Sequence, residues 1–315
     1  ESIGKLHYRK DDDPLGFDAR HIPMYIKEGV GSVTAAVRDP LPALDDEART
    51  KPGFAAKAEA GSSSYTQYDA QVADLSCDWL KERGASDDDT PWMLFASFLS
   101  PHYPLTVPDE FFQMYPGAHM PGPRLDPEDG YQRHPWVEIL AERQPHNNGL
   151  TPEKSRIAYG AYLGLCSYVD YQIGRVLGAL EQAGLADTTR IIYTSDHGEN
   201  AGARGLWGKS VMYEESTGIP MIMAGADIAA GAVCETPTSL VDMYPTITAA
   251  LGLAANADEA DLPGTSLFHI ANAAPDPNRT VFSEYHASAS PSGGFMLRKG
   301  RYKYIRSFQP FYPDG

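Results

Sequence analysis

The chain has 315 residues, of which 42% are hydrophobic and 22% are charged, an ordinary globular usage that excludes wholesale disorder and a collagen-like repeat. Its 42 acidic and 26 basic residues give a formal net charge of −16, which argues against nucleic acid as a partner because a field of that sign repels polyanions. The mean hydropathy is −0.36 and no apolar run approaches the roughly 20 residues of a membrane-spanning helix, so the sequence predicts a soluble protein with no membrane partner.

Neither the cysteines nor the first residues identify a compartment. Cys77, Cys166 and Cys234 are few and widely spaced, which favours buried reduced thiols over a disulfide framework or a zinc ribbon. The sequence starts at Glu1 without a basic and then apolar leader, so we expect either a processed chain or one that begins inside a longer protein. Cytoplasmic and periplasmic locations both stay open, as does homo-oligomerisation.

The first half of the chain predicts few regular elements. Residues 42–66 are rich in Ala, Gly and Ser and predict an exposed loop. Residues 92–99, WMLFASFL, predict a short buried strand, and His102 follows where that strand ends. Residues 108–150 are rich in Pro, Gly and His with little periodicity, which is typical of an active-site wall or an exposed excursion.

The second half alternates strands and helices. Residues 151–180 open with Thr-Pro-Glu, an N-cap followed by Pro in the first turn, and predict a helix. Residues 190–195 and 219–223 predict strands, and residues 239–252 predict another helix. This order predicts an α/β fold with a mixed, largely parallel sheet flanked by helices.

The pattern changes near the C-terminus. Residues 281–286, 295–300 and 301–308 predict short strands with no helix between them, which is typical of an antiparallel sheet. We therefore expect an α/β domain over residues 1–275 and the beginning of a small antiparallel subdomain over residues 276–315.

The most distinctive local motif is Asp196-His197-Gly198, which follows the predicted strand 190–195. Open α/β sheets bind ligands at the carboxyl ends of their strands, and a carboxylate beside an imidazole offers oxygen and nitrogen ligands to a divalent cation. The glycine lets the backbone turn without a Cβ clash. Taken alone, the motif predicts a turn about as readily as a metal site.

Cationic side chains recur at other predicted strand ends and loops. Lys209 lies in the Gly-rich stretch after the DHG motif, whose spacing does not match a nucleotide-binding P-loop. Lys5 and His7 are two residues apart, so an extended backbone directs both side chains to one face. With His102, they offer a small anion several donors against the negative field of the whole protein. Taken singly, each residue is more often a solvated or hydrogen-bonded surface group.

Set together, the segments SIGKLHY, SFLSPHYPLTVP, YTSDHGENAGARGLWGKSVMYEESTGIPMI and LVDMYP resemble the ordered landmarks of a sulfatase of the alkaline phosphatase superfamily. The sequence around Lys209 is most similar to that of bacterial choline-sulfatase-like members. The resemblance implies the alkaline phosphatase/sulfatase-like α/β fold and hydrolysis of a small anionic sulfate ester.

The resemblance also implies the site residues. By the family's pattern Asp196 and His197 are the late ligands of a divalent metal, and hard oxygen ligands favour Ca, with Mg or Mn as alternatives. Of the two histidines near the sulfate, His102 is the preferred general acid. The residues expected to bind the sulfate and to act in catalysis match the family's GKxH and PHxP motifs and the lysine after DHG, namely Lys5, His7, His102 and Lys209.

The family's nucleophile does not occur in these residues. Sulfatases of this type use a formylglycine made from the Cys or Ser of a C/S-x-P-x-R motif, and no Cys or Ser of the chain has that context. The early aspartate pair of the family's metal site is missing as well. We therefore expect a fragment that lacks roughly its first hundred residues, where the formylglycine belongs, and its C-terminal end. Such a fragment is expected to be inactive by itself.

Two other functions stay open at this point. A phosphonate monoester or phosphodiester hydrolase shares the fold, the formylglycine and the metal, and a non-catalytic relative would bind sulfate-bearing ligands without cleaving them. Choline sulfate as the substrate would require an aromatic cage with a carboxylate. Glu284, beside Tyr285, is the candidate for that substrate-binding carboxylate, although a Glu at the start of an antiparallel strand is more often structural or solvated.

Overall fold

The computed structural model describes residues 1–6, 13–24, 51–253, 257–259, 261–286, 290 and 292–308. The strands within these residues are, in chain order, β1 Ser2–Gly4, β2 Arg20–His21, β3 Glu59–Ala60, β4 Phe95–Ser97, β5 Thr106–Val107, β6 Arg190–Thr194, β7 Met221–Gly225, β8 Val281–Tyr285, β9 Gly294–Lys299 and β10 Tyr302–Ser307. The α-helices are α1 Ser64–Gly84, α2 Asp109–Gln113, α3 Pro135–Arg143, α4 Pro152–Gln182, α5 Glu214–Thr217, α6 Met243–Ala250 and α7 Leu267–Asn272.

Parallel and antiparallel pairings both occur. β1 lies between β2 and β4 in a parallel sheet, and β3 pairs with β5 in parallel. β6 and β7 pair antiparallel over their full lengths, and β9 lies between β8 and β10 in an antiparallel sheet. The mixed α/β fold is therefore confirmed, and so is the predicted set of short antiparallel strands near the C-terminus. Among the described residues, none of the helices has both the length and the apolar composition required to cross a bilayer.

The long helix α4 confirms the prediction over residues 151–180. The Thr151 hydroxyl accepts the N–H of Lys154 at 3.2 Å, and Pro152 occupies the first turn, where its missing N–H costs nothing. A Cβ at Gly160 would stand 2.3 Å from the carbonyl oxygen of Tyr115, so glycine permits that segment to lie against the helix. The buried cluster around α4 consists of Ala55, Leu105, Val107, Phe111, Ala158, Ala161, Leu165, Tyr168 and Trp207.

Three predictions for the first half are wrong in part. The predicted loop 42–66 holds the 3₁₀ turn Phe54–Lys57, β3 and the start of α1, while residues 42–50 lie outside the described residues. The predicted buried strand 92–99 shortens to β4, whose Phe95 is 45% exposed and stacks on Phe17. Residues 108–150 contain α2 and α3, whose lengths of 5 and 9 residues are too short for a clear helical period.

The helix α1 is not indicated by the hydrophobic pattern, and its start is fixed by side chains. The Ser63 hydroxyl accepts the N–H of Thr66 at 3.1 Å, and the Thr66 hydroxyl accepts the N–H of Ser63 at 3.0 Å. This reciprocal pair caps the first turn in the way a capping box does. The helix packs against α4 and presents buried Val72, Ala73 and Asp69.

The C-terminal sheet is tied to the rest of the protein by polar contacts. The indole N–H of Trp136, on α3, donates to the Ser292 hydroxyl at 2.9 Å. Lys303, on β10, donates to the Thr217 hydroxyl at 2.7 Å and pairs with Glu214 at 2.7 Å. These contacts attach β9 and β10 to the segments around α3 and α5.

A fully buried carboxylate, Asp242, joins three segments of the chain. It accepts two hydrogen bonds from the Arg279 guanidinium, at 2.7 and 2.8 Å, and the backbone N–H groups of Ser239 and Thr265, both at 2.8 Å. Burial raises the pKa of this carboxyl, but the hydrogen bonds from Arg279 and the two amides outweigh it and hold the pKa below its ordinary value. The ionised form therefore stabilises the fold.

We expect Asp242→Asn to lower the free energy of unfolding at neutral pH by about 3–5 kcal/mol, the usual cost of breaking a buried ion pair. Because the folded-state pKa of Asp242 lies below the ordinary value of 3.8, its contribution is present above that value and is lost as pH falls through the folded-state pKa. Urea unfolding followed by circular dichroism across the acid range measures both effects.

The matched control is Asp227→Asn, which removes an exposed Arg–Asp pair with Arg190 at 2.8 Å. This control should cost at most about 1 kcal/mol. An Asp242→Asn protein that keeps the wild-type stability and the wild-type acid slope would contradict the assignment.

Candidate active site

Asp196 and His197 follow β6 after a single intervening residue, Ser195, at the strand end where the sequence predicts them. The backbone N–H of His197 donates to Asp196 Oδ1 at 3.0 Å, and His197 Nδ1 lies 2.8 Å from the carbonyl oxygen of Gly198. A carbonyl oxygen can only accept, so Nδ1 carries the proton and Nε2 keeps its lone pair. Burial lowers the pKa of His197, and the charge of Lys209 lowers it further, which favours this neutral form.

The two side chains offer their ligand atoms to the same space. His197 Nε2 lies 3.4 Å from Asp196 Oδ2, and the Asp196 side chain is 75% exposed. Across the described residues, no group of three or more His, Cys, Asp or Glu side chains converges as a complete metal site. Asp196 and His197 therefore present two adjacent atoms that could ligate a metal, one oxygen and one nitrogen, on an accessible edge.

Gly198 is required by a close approach of two backbone segments. Its N–H donates to the carbonyl oxygen of Ser216 at 2.8 Å. A Cβ at this position would stand 2.1 Å from the carbonyl oxygen of Glu215, a separation no side chain tolerates. The glycine of the motif thus lets the loop after β6 lie against α5, which fixes the direction in which Asp196 and His197 point.

Glu199 and Asn200 hold the loop that carries Lys209. The Glu199 carboxylate accepts the N–H of Ala201 at 3.2 Å and the N–H of Gly208. The Asn200 backbone and side-chain N–H groups both donate to the carbonyl oxygen of Gly208, at 2.9 and 2.5 Å. Hydrogen bonds therefore fix both the N–H and the carbonyl group of Gly208, immediately before Lys209. Glu199 is not among the predicted site residues, and its only signal in the sequence is its place directly after the DHG motif.

His102 lies in the segment after β4 with its ring fixed by its neighbours. Its Nδ1 lies 2.7 Å from the carbonyl oxygen of Tyr103, which makes Nδ1 the protonated nitrogen and leaves Nε2 available. The ring contacts Tyr103 at 4.2 Å and Tyr65 at 6.0 Å between centroids. The Tyr103 ring in turn stacks on Phe54 at 4.2 Å. Aromatic side chains thus flank the imidazole.

Lys5 and Lys209, two of the cationic groups predicted from sequence, lie close enough to His102 for their charges to act on its pKa. Burial, opposed by the hydrogen bond to Tyr103 and reinforced by the charges of Lys209, Lys5 and His197, lowers the pKa of His102 to about 4. Burial of the Lys209 ammonium lowers its pKa. The charge of Lys5 lowers this pKa further, while the charge of Asp196 raises it. Lys5, His102, His197 and Lys209 therefore share one electrostatic site.

His146 joins this site without any signal in the sequence. Its ring lies 5.0 Å from Phe54 and 6.4 Å from Tyr103 between centroids. A Cβ at Gly208 would stand 3.2 Å from its Cδ2 atom, so the ring lies against the backbone next to Lys209. Burial lowers the pKa of His146, and the charge of Lys209 adds to that effect.

The remaining predicted site residues are placed differently. His7 lies outside the described residues, so its role stays a prediction. Glu284 lies on β8 in the C-terminal sheet, where its carboxylate pairs with His286 at 3.0 Å. It is not among the groups that shift the pKa of His102, His197 or Lys209. Its proposed role in substrate binding is therefore still a prediction.

Comparison with known proteins gives one family. The model of the Sulfatase family matches residues 27–253. The choline-sulfatase of Rhizobium meliloti (strain 1021) is 29% identical over 310 residues, which cover 96% of this chain and 59% of that protein. Arylsulfatase K of Mus musculus is 35% identical over 193 residues, which cover 58% of this chain and 33% of that protein.

Solved structures add the fold. The phosphonate monoester hydrolase SpPMH from Silicibacter pomeroyi matches with a TM-score of 0.63 and 27% identity, over 84% of this chain and 58% of that chain. A 2-O GAG sulfatase, BT1596, matches with a TM-score of 0.62 at 23% identity, over 87% of this chain and 58% of that chain. The present chain thus spans three fifths or less of each of these proteins.

We expect Lys209→Met to raise the pKa of His146, because the variant removes a positive charge that opposes protonation of the ring. Proton NMR titration of the histidine ring resonances measures the pKa directly. The matched control is Lys154→Met, at the exposed start of α4, which should leave the His146 titration in place. An unchanged pKa in Lys209→Met would show that the two residues do not share one electrostatic site.

Proposed function

Because the chain belongs to the sulfatase family, we propose that the full-length gene product hydrolyses a small organic sulfate ester at the end of β6. The observation that carries the proposal is the convergence of Lys5, His102 and Lys209 beside the adjacent ligand pair Asp196 and His197. This cluster gathers positive charge locally in a protein whose net charge is −16. A small anion is the ligand that such a local cluster stabilises.

In this proposal the ammonium groups of Lys5 and Lys209 bind the sulfuryl oxygens. Charge-assisted hydrogen bonds of this kind are about twice as strong as neutral ones. They stabilise the charge that grows on those oxygens as the bond to the alcohol breaks. Burial lowers the pKa of His102 and both cations lower it further, so an anion bound beside them offsets the part due to charge and favours the protonated imidazole.

His102 is proposed to deliver that proton to the alcohol. Its Nδ1 is bonded to the Tyr103 carbonyl, so Nε2 is the nitrogen that faces the reaction. When the bond between sulfur and the alcohol oxygen breaks, the alcohol oxygen takes the proton from Nε2 and the sulfuryl group passes to an oxygen nucleophile. One water is consumed overall, and the products are the alcohol and sulfate. A positioned general acid contributes about 10²–10⁴-fold to such a step.

The ligand pair fits a divalent metal. Asp196 presents an exposed carboxylate oxygen, and His197 presents an Nε2 lone pair whose tautomer is set by the bond from Nδ1 to Gly198, the usual arrangement of a ligating imidazole. The hard oxygen ligand favours Ca, with Mg or Mn as alternatives. When bound, such an ion would supply Lewis-acid polarisation of the sulfuryl oxygens. These two residues are proposed to hold it together with ligands from outside the described residues.

The oxygen nucleophile is proposed to be the hydrated formylglycine of the family, whose C/S-x-P-x-R motif does not occur in these 315 residues. The identity of the alcohol is proposed only at the level of a small organic group. Choline is one candidate, since a choline-sulfatase is 29% identical to this chain. In that case Glu284 is the predicted partner of the ammonium, after release from His286.

The second candidate reaction is hydrolysis of a phosphonate monoester, supported by the likeness to SpPMH. We expect the full-length protein to hydrolyse 4-nitrophenyl sulfate faster than 4-nitrophenyl phenylphosphonate, to lose both activities on removal of divalent metal with EDTA, and to recover them with Ca²⁺. In Asp196→Asn, recovery should need a Ca²⁺ concentration raised by more than about tenfold, since loss of even an outer-shell partner costs that much.

A higher rate on the phosphonate would establish the second candidate instead. Binding of sulfate without turnover of either ester would identify a non-catalytic relative. Both outcomes are read from the same preparation of the full-length protein, so one set of assays separates the three functions.

We expect His102→Ala to slow the hydrolysis of esters of weakly acidic alcohols more than that of esters of acidic alcohols, because an acidic alcohol leaves without needing a proton. The loss in kcat/KM should be about 10²–10⁴-fold for phenyl sulfate and much smaller for 4-nitrophenyl sulfate. His134→Ala, at the N-cap of α3, is the control that should keep the wild-type ratio. Equal losses on both esters in His102→Ala would remove the general-acid role.

A further inference from the structure

Asp69 is a fully buried carboxylate on α1, far along the chain from the motifs of the site. Its Oδ1 accepts the N–H of Leu99 at 2.6 Å, and its Oδ2 accepts the N–H of Ser100 at 2.9 Å. One carboxylate therefore holds two successive amides, one on each oxygen. These amides belong to the second and third residues after β4, at the beginning of the segment that carries His102.

The bonds that orient His102 lead back to the same place. The backbone N–H of His102 donates to the carbonyl oxygen of Leu99 at 2.9 Å, and the N–H of Leu99 is the one that Asp69 accepts. Pro101 and Pro104 have no N–H to contribute. The ring is then set by the bond from Nδ1 to Tyr103 at 2.7 Å. The position of the imidazole thus depends on a short chain of hydrogen bonds that begins at Asp69.

We infer that Asp69 is a positioning residue of the proposed reaction: it fixes the backbone of Leu99 and Ser100 so that Nε2 of His102 stays within reach of the leaving alcohol oxygen. The inference rests on the proposed function, because it acts through the general acid. Misplacement of a catalytic group by about 1 Å can cost about 10²-fold in rate. A buried carboxylate one helix away can therefore influence the chemistry without touching the substrate.

The chemistry of the two amides predicts which variants disturb the segment. Asparagine has one acceptor oxygen, and its NH₂ group would face the second backbone N–H, donor against donor. Asp69→Asn should therefore release one of the two amides. Asp69→Glu keeps both acceptor oxygens on a chain longer by one methylene, so it should restore part of the effect.

The test is the ratio of kcat/KM for 4-nitrophenyl sulfate to that for phenyl sulfate, measured in the full-length protein. We expect Asp69→Asn to raise this ratio by about 10–100-fold, in the same direction as His102→Ala, and Asp69→Glu to raise it less. The double variant should show no larger ratio than His102→Ala alone, since the two changes remove one function. The ratio does not depend on the fraction of protein that is folded, because that fraction affects both substrates equally. A partly unfolded variant therefore still gives a valid ratio.

Ser63→Ala is the matched control on the same helix. It removes the N-cap bond to Thr66 and should cost about 1 kcal/mol of stability while leaving the ratio unchanged. A wild-type ratio in Asp69→Asn, with a raised ratio in His102→Ala, would overturn the positioning role and leave the proposed function standing. A wild-type ratio in His102→Ala itself would overturn the general acid, and the positioning role with it.

A second readout does not depend on activity. In the 315-residue chain, Asp69→Asn should shift the ring resonances of His102 in a proton–nitrogen NMR spectrum, while those of His134 stay in place. Unchanged His102 resonances would contradict the inference. If Asp69→Asn does not fold, Asp69→Glu carries both measurements, with a smaller shift and a smaller change in ratio expected.

Discussion

Burial of basic side chains beside one another is the constraint on which the site depends. Burial lowers the pKa of His102, His146 and His197, and the charge of Lys209 lowers all three further. Each cationic group brought to the end of β6 therefore makes the next one harder to charge. An anion placed among them offsets the part of that cost that comes from charge, so the folded protein is preorganised for a negatively charged ligand and, in the proposed reaction, for the charge that grows on it.

Carboxylates support this arrangement through the backbone. Asp69 accepts the amides of Leu99 and Ser100, and Glu199 accepts the amides of Ala201 and Gly208. In both cases the carboxylate holds the segment before a residue of the proposed site and uses its oxygens on backbone N–H groups. Burial lowers the pKa of Lys209, whereas the charge of Glu199 raises it. These carboxylates therefore fix the backbone, and Glu199 also helps to keep the Lys209 ammonium charged.

How much of the fold and the site could be predicted depends on how local each signal is. The Thr-Pro-Glu start and the long apolar period predict α4. Short motifs at strand ends predict the cationic residues and the candidate metal ligands Asp196 and His197. Helix α1 shows no comparable period, because the Ser63–Thr66 cap and the buried Asp69 fix it. Asp69 acts on Leu99 across 30 residues of chain, and His146 comes from the turn-rich stretch 108–150, whose residue types are those of any loop. Residue spacing does not predict the contact of Asp69 with Leu99 or the position of His146. It does not predict the antiparallel pairing of β6 with β7 either.

Charge also explains why two reactions share one kind of site. A sulfate ester and a phosphonate monoester each carry a single negative charge near neutral pH, so the ammonium groups and the divalent ion of the proposed site would suit both, in keeping with the likeness to SpPMH. The charge of the reacting group therefore cannot select between them. In the proposed reaction, selection would come from the alcohol and from the shape around the leaving oxygen. Tyr65 and Tyr103 contact the His102 ring, and Phe54 stacks on Tyr103. Aromatic rings in this position would favour a flat or cationic leaving group over a hydrated sugar, so we propose that specificity depends on the rings around His102 and not on the cations.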